Sequence, residues 1–394
     1  MQHLSQSPTD PGFIQDPYPF YEKARAGGSL FFWKDYGLIC ATSAAVVGAI
    51  LRDRRFGREV PSESRAPVAQ HLAPFYAVEA HSMLELEPPR HTRLRSLVLR
   101  AFTSRRIASL AQEIETLCHD LIDRFPAGDF DLIQAFAQTL PVTIVCRLLG
   151  VPEADGSRML AWSNAMVGMY QARRTRATED AAVAATQAFA AYLRAYVDNR
   201  RDKPADDLIT QLIAAESDGE RLSTDELIAT CILLLNAGHE ATVHTIGNGV
   251  KALVESRHGS AVLTPDRVES TVEEILRHDP PLHLFTRWAY EDVELAGHTF
   301  RRGDQVGCLL AAANRDPAAW DEPGRFNPAR PVRANLSFGA GLHFCVGAPL
   351  ARMELQIALP ILFDRCPGLT FAAPPRYANL YHFHGLESLV VRVR

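Results

Sequence analysis

The chain has 394 residues, of which 47% are hydrophobic and 22% charged, and its net charge is −5. That composition supplies a large core, and the slight acidity excludes a global basic field aimed at nucleic acid or an anionic membrane. Seven cysteines, at positions 40, 118, 146, 231, 308, 345 and 366, show no paired spacing, so neither a disulfide framework nor a zinc cluster is expected and a reducing cytoplasm fits.

The first eight residues show no basic stretch leading into an apolar one, so no signal peptide is expected. Short β-like pieces follow at 30–33 and 38–42. Residues 104–124 carry Ile107, Leu110, Ile114, Leu117, Leu121 and Ile122 at steps of three and four, the period of a helix with one buried face. Further helices are predicted at 140–149, 180–197 and 206–215. The largely apolar run at 227–235 is far shorter than the roughly 20 residues a membrane span requires, so no membrane anchor is expected.

The stretch 223–256 opens on Ser223 and Glu226, the two halves of a capping box. Some thirty residues follow without a proline, predicting a helix of about 50 Å at 1.5 Å per residue. Its middle is apolar nearly all round, as in a helix through the core of a large domain. Asn236, Gly238, His239 and Glu240 interrupt that apolar centre, and buried polar groups carry an energetic cost that calls for a reason. More strands are predicted after Pro281. No repeat or linker divides the chain, so one mainly α domain with a small β region, spanning 1–394, is expected.

Several residue pairs carry chemical meaning. His91 and Arg95 stand four apart on one helix face. Glu274 and Arg277, three apart, also share a face and can pair. Near the C-terminus runs Phe338-Gly-Ala-Gly-Leu-His-Phe-Cys345-Val-Gly347, with Ala348 and Pro349 opening an apolar-periodic helix towards Arg365. Glycines let such a loop turn tightly, and proline is tolerated at the first turn of a helix. The helix start aims unpaired N–H groups and partial positive charge at the sulfur, which favours the metal-ligating thiolate. A lone cysteine is most often a core filler, but the glycines at 339, 341 and 347 are hard to explain for one. No second Cys or His pair stands at zinc-ligand spacing around Cys345.

The spacing F-G-x-G-x-H-x-C-x-G closely resembles the haem-ligand loop of the cytochrome P450 family. The resemblance runs from Asp16-Pro-Tyr-Pro-Phe20 to the C-terminal strands. It implies the cytochrome P450 fold, a single mainly α domain around one buried haem b (iron protoporphyrin IX). Cys345 would be the proximal iron ligand in the loop framed by Phe338, Gly339 and Gly347. His91, Arg95, Arg287 and His343 match the family's contacts to the haem propionates. Glu274 and Arg277 match its E-x-x-R, with Arg330 of the Phe326-Asn-Pro-Ala-Arg330 segment as third partner, a set assigned to folding.

The segment Ala237-Gly238-His239-Glu240-Ala241-Thr242 resembles the family's oxygen-binding stretch. There Gly238 would let the helix bulge and Glu240 would pass protons through water. The family usually places threonine directly after the acid; here Ala241 stands there, with Thr242 one residue later and about 100° further round the helix. The resemblance further implies a substrate pocket of Met83, Leu84, Asn236, Leu282, Leu284, Phe285 and Phe383; Asn236 and His283 either give the substrate a polar anchor or bond to backbone or water. The implied reaction is monooxygenation of a hydrophobic small molecule. Electrons would come from NAD(P)H through a separate ferredoxin and its reductase, with Arg100, Arg105, Arg106 and Arg352 as docking contacts. A peroxide-driven haem peroxygenase and a non-catalytic haem-binding protein are the alternatives. A cytoplasmic monomer with no nucleic-acid partner is expected.

Overall fold

The computed structural model describes residues 1–171, 174–217 and 219–393. The chain divides into two compact units, each gathered from separate stretches: 1–63, 114–139 and 241–394 in the first, 64–113 and 140–240 in the second.

The first unit holds nearly all the β structure. Its main sheet runs Gln2–Leu4, Leu30–Trp33, Leu38–Ala41, Gln305–Leu309, Leu284–Ala289 and Phe56–Gly57 in spatial order. The expected early strands pair antiparallel, Phe31 opposite Cys40 and Trp33 opposite Leu38. Gly37 takes φ +64° in the turn between them, a backbone state that favours glycine. Strand Gln305–Leu309 lies parallel to Leu38–Ala41 and antiparallel to Leu284–Ala289. Alternation along Leu284–Ala289 sets Leu284 on one face and Phe285 and Arg287 on the other.

Two hydrophobic clusters among the described residues lie in this unit. Val47 and Ile50 of helix Ala44–Arg52 pack with Phe56, Phe300, Val306 and Cys308. Phe13, Tyr21, Phe31, Trp33, Leu284 and Tyr381 form an aromatic-rich second cluster.

The second unit is helical. Its 27-residue helix Arg176–Asp202 packs along Gly156–Val167 and Ala73–Glu79, with Trp162 against Phe189 at 5.2 Å between ring centres. Asp207 caps helix Leu208–Ala214 and pairs with Arg200 at 2.5 Å, its side chain 4% exposed. Arg200 also donates to Gly150 O.

The long helix is Thr224–Glu255, uninterrupted. Both halves of its capping box form: Ser223 N–H donates to Glu226 Oε2 at 2.9 Å, and Glu226 N–H to Ser223 Oγ at 3.2 Å. Residues up to 240 belong to the second unit and those from 241 to the first. The expected bulge at Gly238 is not there. The missing side chain makes room instead for Val145, whose Cγ2 would stand 3.1 Å from an added Cβ.

The single helix expected over 104–124 is two, Ser104–Ser109 and Ala111–Asp123. Between them Leu110 N–H bonds to Ile107 O three residues back, a tight turn that keeps the Leu110 side chain 2% exposed. Among the described residues no helix is long and apolar enough to cross a membrane.

Candidate active site

The cysteine loop follows a long stretch of the first unit without helix or strand and turns through residues with left-handed backbone. Gly339 and Gly341 take φ +69° and +70°. An added Cβ on Gly341 would stand 2.3 Å from Leu51 O, so the loop presses directly on the end of helix Ala44–Arg52. Cys345 N–H closes the loop onto Phe338 O at 3.1 Å. Helix Ala348–Arg365 begins three residues after Cys345, with Pro349 in its first turn. Cys345 is exposed while the other six cysteines are buried, and burial pushes those six thiols up, away from thiolate.

Behind the loop, Glu274 and Arg277 form a two-pronged ion pair at 2.7 Å on each prong, both side chains 1% exposed. Glu274 also accepts from Arg330 Nε at 3.2 Å and Asn327 N–H at 2.8 Å. Arg277 spends its remaining donors on Asn314 O, Pro323 O and Arg325 O. This knot reaches the cysteine loop through residues that the sequence did not single out. Ser337 Oγ donates to Leu276 O at 2.6 Å, and Asn314 Oδ1 accepts from Leu336 N–H at 2.8 Å. Asn314 is a polar residue ending the run Leu310–Asn314 of leucine and alanine, which is the one signal that marks it.

The sequence profile described as Cytochrome P450 matches residues 56–258 and 267–367. The chain belongs to the cytochrome P450 family. It is 36% identical to Cytochrome P450 monooxygenase PikC of Streptomyces venezuelae, over 97% of this chain and 92% of that one. It is 35% identical to the Biotin biosynthesis cytochrome P450 of Bacillus subtilis (strain 168), over 98% and 99% respectively. The structure of P450BioI in complex with hexadec-9Z-enoic acid ligated acyl carrier protein matches with a TM-score of 0.91 at 32% identity, over 98% of this chain and 99% of that one. The protein is thus a cytochrome P450 monooxygenase of the mainly α P450 fold, with haem b as its cofactor. Family members take small-molecule substrates and redox partners.

The residues of the first unit fit a haem. The one exposed thiol sits at a helix start in a loop that only glycines can follow. Arg287 is 2% exposed on its strand, its guanidinium 5.9 Å from the Phe285 ring centre; a buried cation of this kind suits an acidic propionate. His343, half-buried, lies in the short turn Gly341–His343. Leu282 and Phe383 are joined by an isolated antiparallel bridge, so two of the expected pocket residues meet. Leu284 is 8% exposed and packs into the aromatic cluster.

In the second unit, His91 is 1% exposed and Arg95 half-buried on helix Arg90–Ala101. His239 donates from Nδ1 to Leu235 O at 2.6 Å, which sets its tautomer. Its Nε2 lies 3.5 Å from Glu240 Oε1, the carboxylate side chain being 14% exposed. Asn236 Nδ2 faces Met166 Sδ at 3.8 Å. Met83 is buried and Leu84 half-buried. On the same helix but in the first unit, Ala241 O accepts from Thr245 Oγ1 at 2.7 Å, and Thr242 is 4% exposed.

The four candidate docking arginines differ. Arg100 and Arg105 are exposed. Arg106 pairs with Asp206 at 3.1 Å. Arg352 pairs with Glu273 at 2.5 Å and lies over the Phe338 ring at 4.6 Å, so its charge is already engaged beside the cysteine loop.

Proposed function

We propose that residues 1–394 act as one catalytic domain that inserts an oxygen atom into a hydrophobic small molecule, with Cys345 as the thiolate ligand of the haem. The exposed thiol in its glycine loop at a helix start carries this reading. Thiolate-ligated haem supplies cleavage of dioxygen, one atom entering a C–H or C=C bond and the other leaving as water.

The chain's own residues do the rest. Arg287 and His343 of the first unit neutralise propionate charge; His91 and Arg95 of the second are assigned the same task. Glu274, Arg277 and Arg330 hold the loop that presents Cys345. Glu240 holds and releases protons through water, because Ala241 offers no hydroxyl beside it and the unbroken helix keeps Thr242 in its ordinary place. Leu282, Phe285 and Phe383 of the first unit meet the substrate, with Leu284 behind them in the core; Met83, Leu84 and Asn236 of the second unit are assigned to substrate contact by the family resemblance alone.

Electrons come from NAD(P)H through a ferredoxin and its reductase. Arg100 and Arg105, exposed and without an ion pair among the described residues, are the cations left for an acidic partner, Arg106 and Arg352 being engaged. The enzyme works as a monomer in the cytoplasm.

The test is turnover of a library of hydrophobic compounds under ¹⁸O₂ with NADPH, ferredoxin and reductase, against hydrogen peroxide alone. One labelled atom in the product, dependent on the ferredoxin, is the result expected. Equal or faster turnover with peroxide alone makes the chain a peroxygenase. Haem loading with no spin shift and no product across the library makes it a non-catalytic haem binder.

A further inference from the structure

A second polar centre lies inside the first unit, on residues that the haem chemistry does not use. Asp279, His283 and His384 are 8%, 0% and 3% exposed. One carboxylate oxygen and one nitrogen from each ring all lie within 4.8 Å of one another. His384 Nε2 stands 3.5 Å and His283 Nε2 4.0 Å from Asp279 Oδ1. Neither separation is a normal hydrogen bond. His283 Nε2 is buried and has no hydrogen-bond partner among the described residues.

The groups around these three side chains hold them in place. Tyr18 and Tyr377 hydroxyls donate to Asp279 Oδ1 at 2.6 Å and Oδ2 at 2.5 Å. His283 Nδ1 bonds to Tyr21 Oη at 2.9 Å, which in turn bonds to Tyr381 Oη at 2.7 Å. His384 stacks on Tyr377 at 3.9 Å between ring centres. Asn248 Nδ2 donates to both Asp279 O and His384 O. With Nδ1 occupied by Tyr21, His283 directs Nε2 at the carboxylate. Metal-ligating histidines are tied in the same way, the far nitrogen bonded to a second group.

Charge is the unsolved part of this arrangement. The only ion-pair-distance partners of Asp279 among the described residues are the two imidazoles. Arg315 is held aside, its guanidinium 3.3 Å from the Tyr18 ring centre and bonded to His278 O. The Asp279 carboxylate is thus buried beside two ring nitrogens at more than hydrogen-bond distance, with no lysine or arginine at ion-pair distance among the described residues.

We infer that Asp279, His283 and His384 form a binding site for a divalent first-row metal ion, zinc by donor set. Zinc takes histidine nitrogen and carboxylate oxygen at about 2.0–2.2 Å, so donors around a tetrahedral ion stand about 3.3 Å apart. The observed 3.5 and 4.0 Å exceed this by about 0.2 and 0.7 Å, and the two ring nitrogens, within 4.8 Å of one another, by at most about 1.5 Å. Two nitrogens and one oxygen leave the fourth position for water. His283 precedes Leu284 and Phe285, and His384 follows Phe383, so the ion would fasten together the two segments already joined at Leu282 and Phe383.

The test uses the haem-loaded full chain, prepared with chelator, given one equivalent of zinc sulfate and dialysed. Elemental analysis should find about one zinc per chain in wild type and less than one tenth of that in Asp279→Asn and in His384→Gln. Zinc at a hundred times its dissociation constant should shift the wild-type folding equilibrium about 100-fold, read as a rise in melting temperature that both variants lack. In crystals, anomalous scattering at the zinc edge should place the ion between the three side chains. Wild type that retains no zinc and melts at the same temperature with or without it overturns the proposal, whatever the variants do. Zinc retained equally by wild type and both variants overturns it too, because the ion is then held elsewhere.

Discussion

Replacing Glu274 by alanine removes the acceptor at the centre of the knot behind the cysteine loop. Its carboxylate accepts two bonds from Arg277, one from Arg330 and one from Asn327 N–H. An exposed pair is worth about 0–1 kcal/mol. Here both partners are 1% exposed, and removing one side of a buried pair costs about 3–5 kcal/mol because the other charge stays behind. The Arg277 guanidinium keeps three carbonyl acceptors, at 3.0, 2.8 and 3.3 Å, which places the loss near the lower end of that range. Against a total stability of about 5–15 kcal/mol, this is a large fraction. Urea unfolding followed by the helical circular-dichroism signal should show a markedly lower midpoint, and purified Glu274→Ala should carry much less haem. Asp292→Ala, which removes a solvent-exposed pair with Arg301, should leave the midpoint close to wild type. A Glu274→Ala protein with wild-type midpoint and full haem, altered only in turnover, would refute the structural assignment.

Arg287→Ala should release haem to apomyoglobin faster than wild type, since a propionate loses a charged partner; an unchanged rate removes Arg287 from the haem contacts. Glu240→Ala should slow product formation roughly 10²- to 10⁴-fold and far more than Thr242→Val does. Uncoupling by Thr242→Val with Glu240→Ala still coupled, read as peroxide released per NAD(P)H, reverses that assignment. Burial pushes the Glu354 carboxyl up to about 8 from 4.5, so the folded chain keeps a proton that the unfolded chain gives up. Its contribution is therefore intact below pH 4.5 and falls between about 4.5 and 8, by up to about 1.4 kcal/mol per pH unit. Glu354→Gln should flatten the decline of the urea midpoint from pH 5 to pH 8, and parallel curves for the two proteins would contradict the buried-acid reading.

Local signals in the sequence carried far where the chemistry is local. Ser223 and Glu226 fixed the start of the long helix because both halves of a capping box sit within four residues. Strand Leu30–Trp33 stood out for its unbroken apolar run, and the pairing of Glu274 with Arg277 follows from one helical turn. Arg330 is legible only through the family resemblance, since its partner is 56 residues away. The break at Leu110 has no proline or glycine to announce it. The five-residue π turn Ile133–Ala137, closed by Gln138 N–H on Ile133 O, also follows no marked residue. Asp279 and His384 lie about a hundred positions apart, and the bridge between Leu282 and Phe383 and the two bonds of Asn248 bring their segments together. Nothing in the spacing of those residues anticipates it.

The central claim is that Cys345 holds the haem as a thiolate. Its most direct measurement is the optical spectrum of the reduced protein under carbon monoxide, recorded for wild type, Cys345→Ala, Cys345→His, and Cys40→Ala and Cys308→Ala as buried-thiol controls. Wild type and the two controls should show the strongly red-shifted Soret band of thiolate-ligated haem, and both Cys345 variants should lose it. A red-shifted band that persists in Cys345→Ala, or that is absent from haem-loaded wild type, contradicts the account.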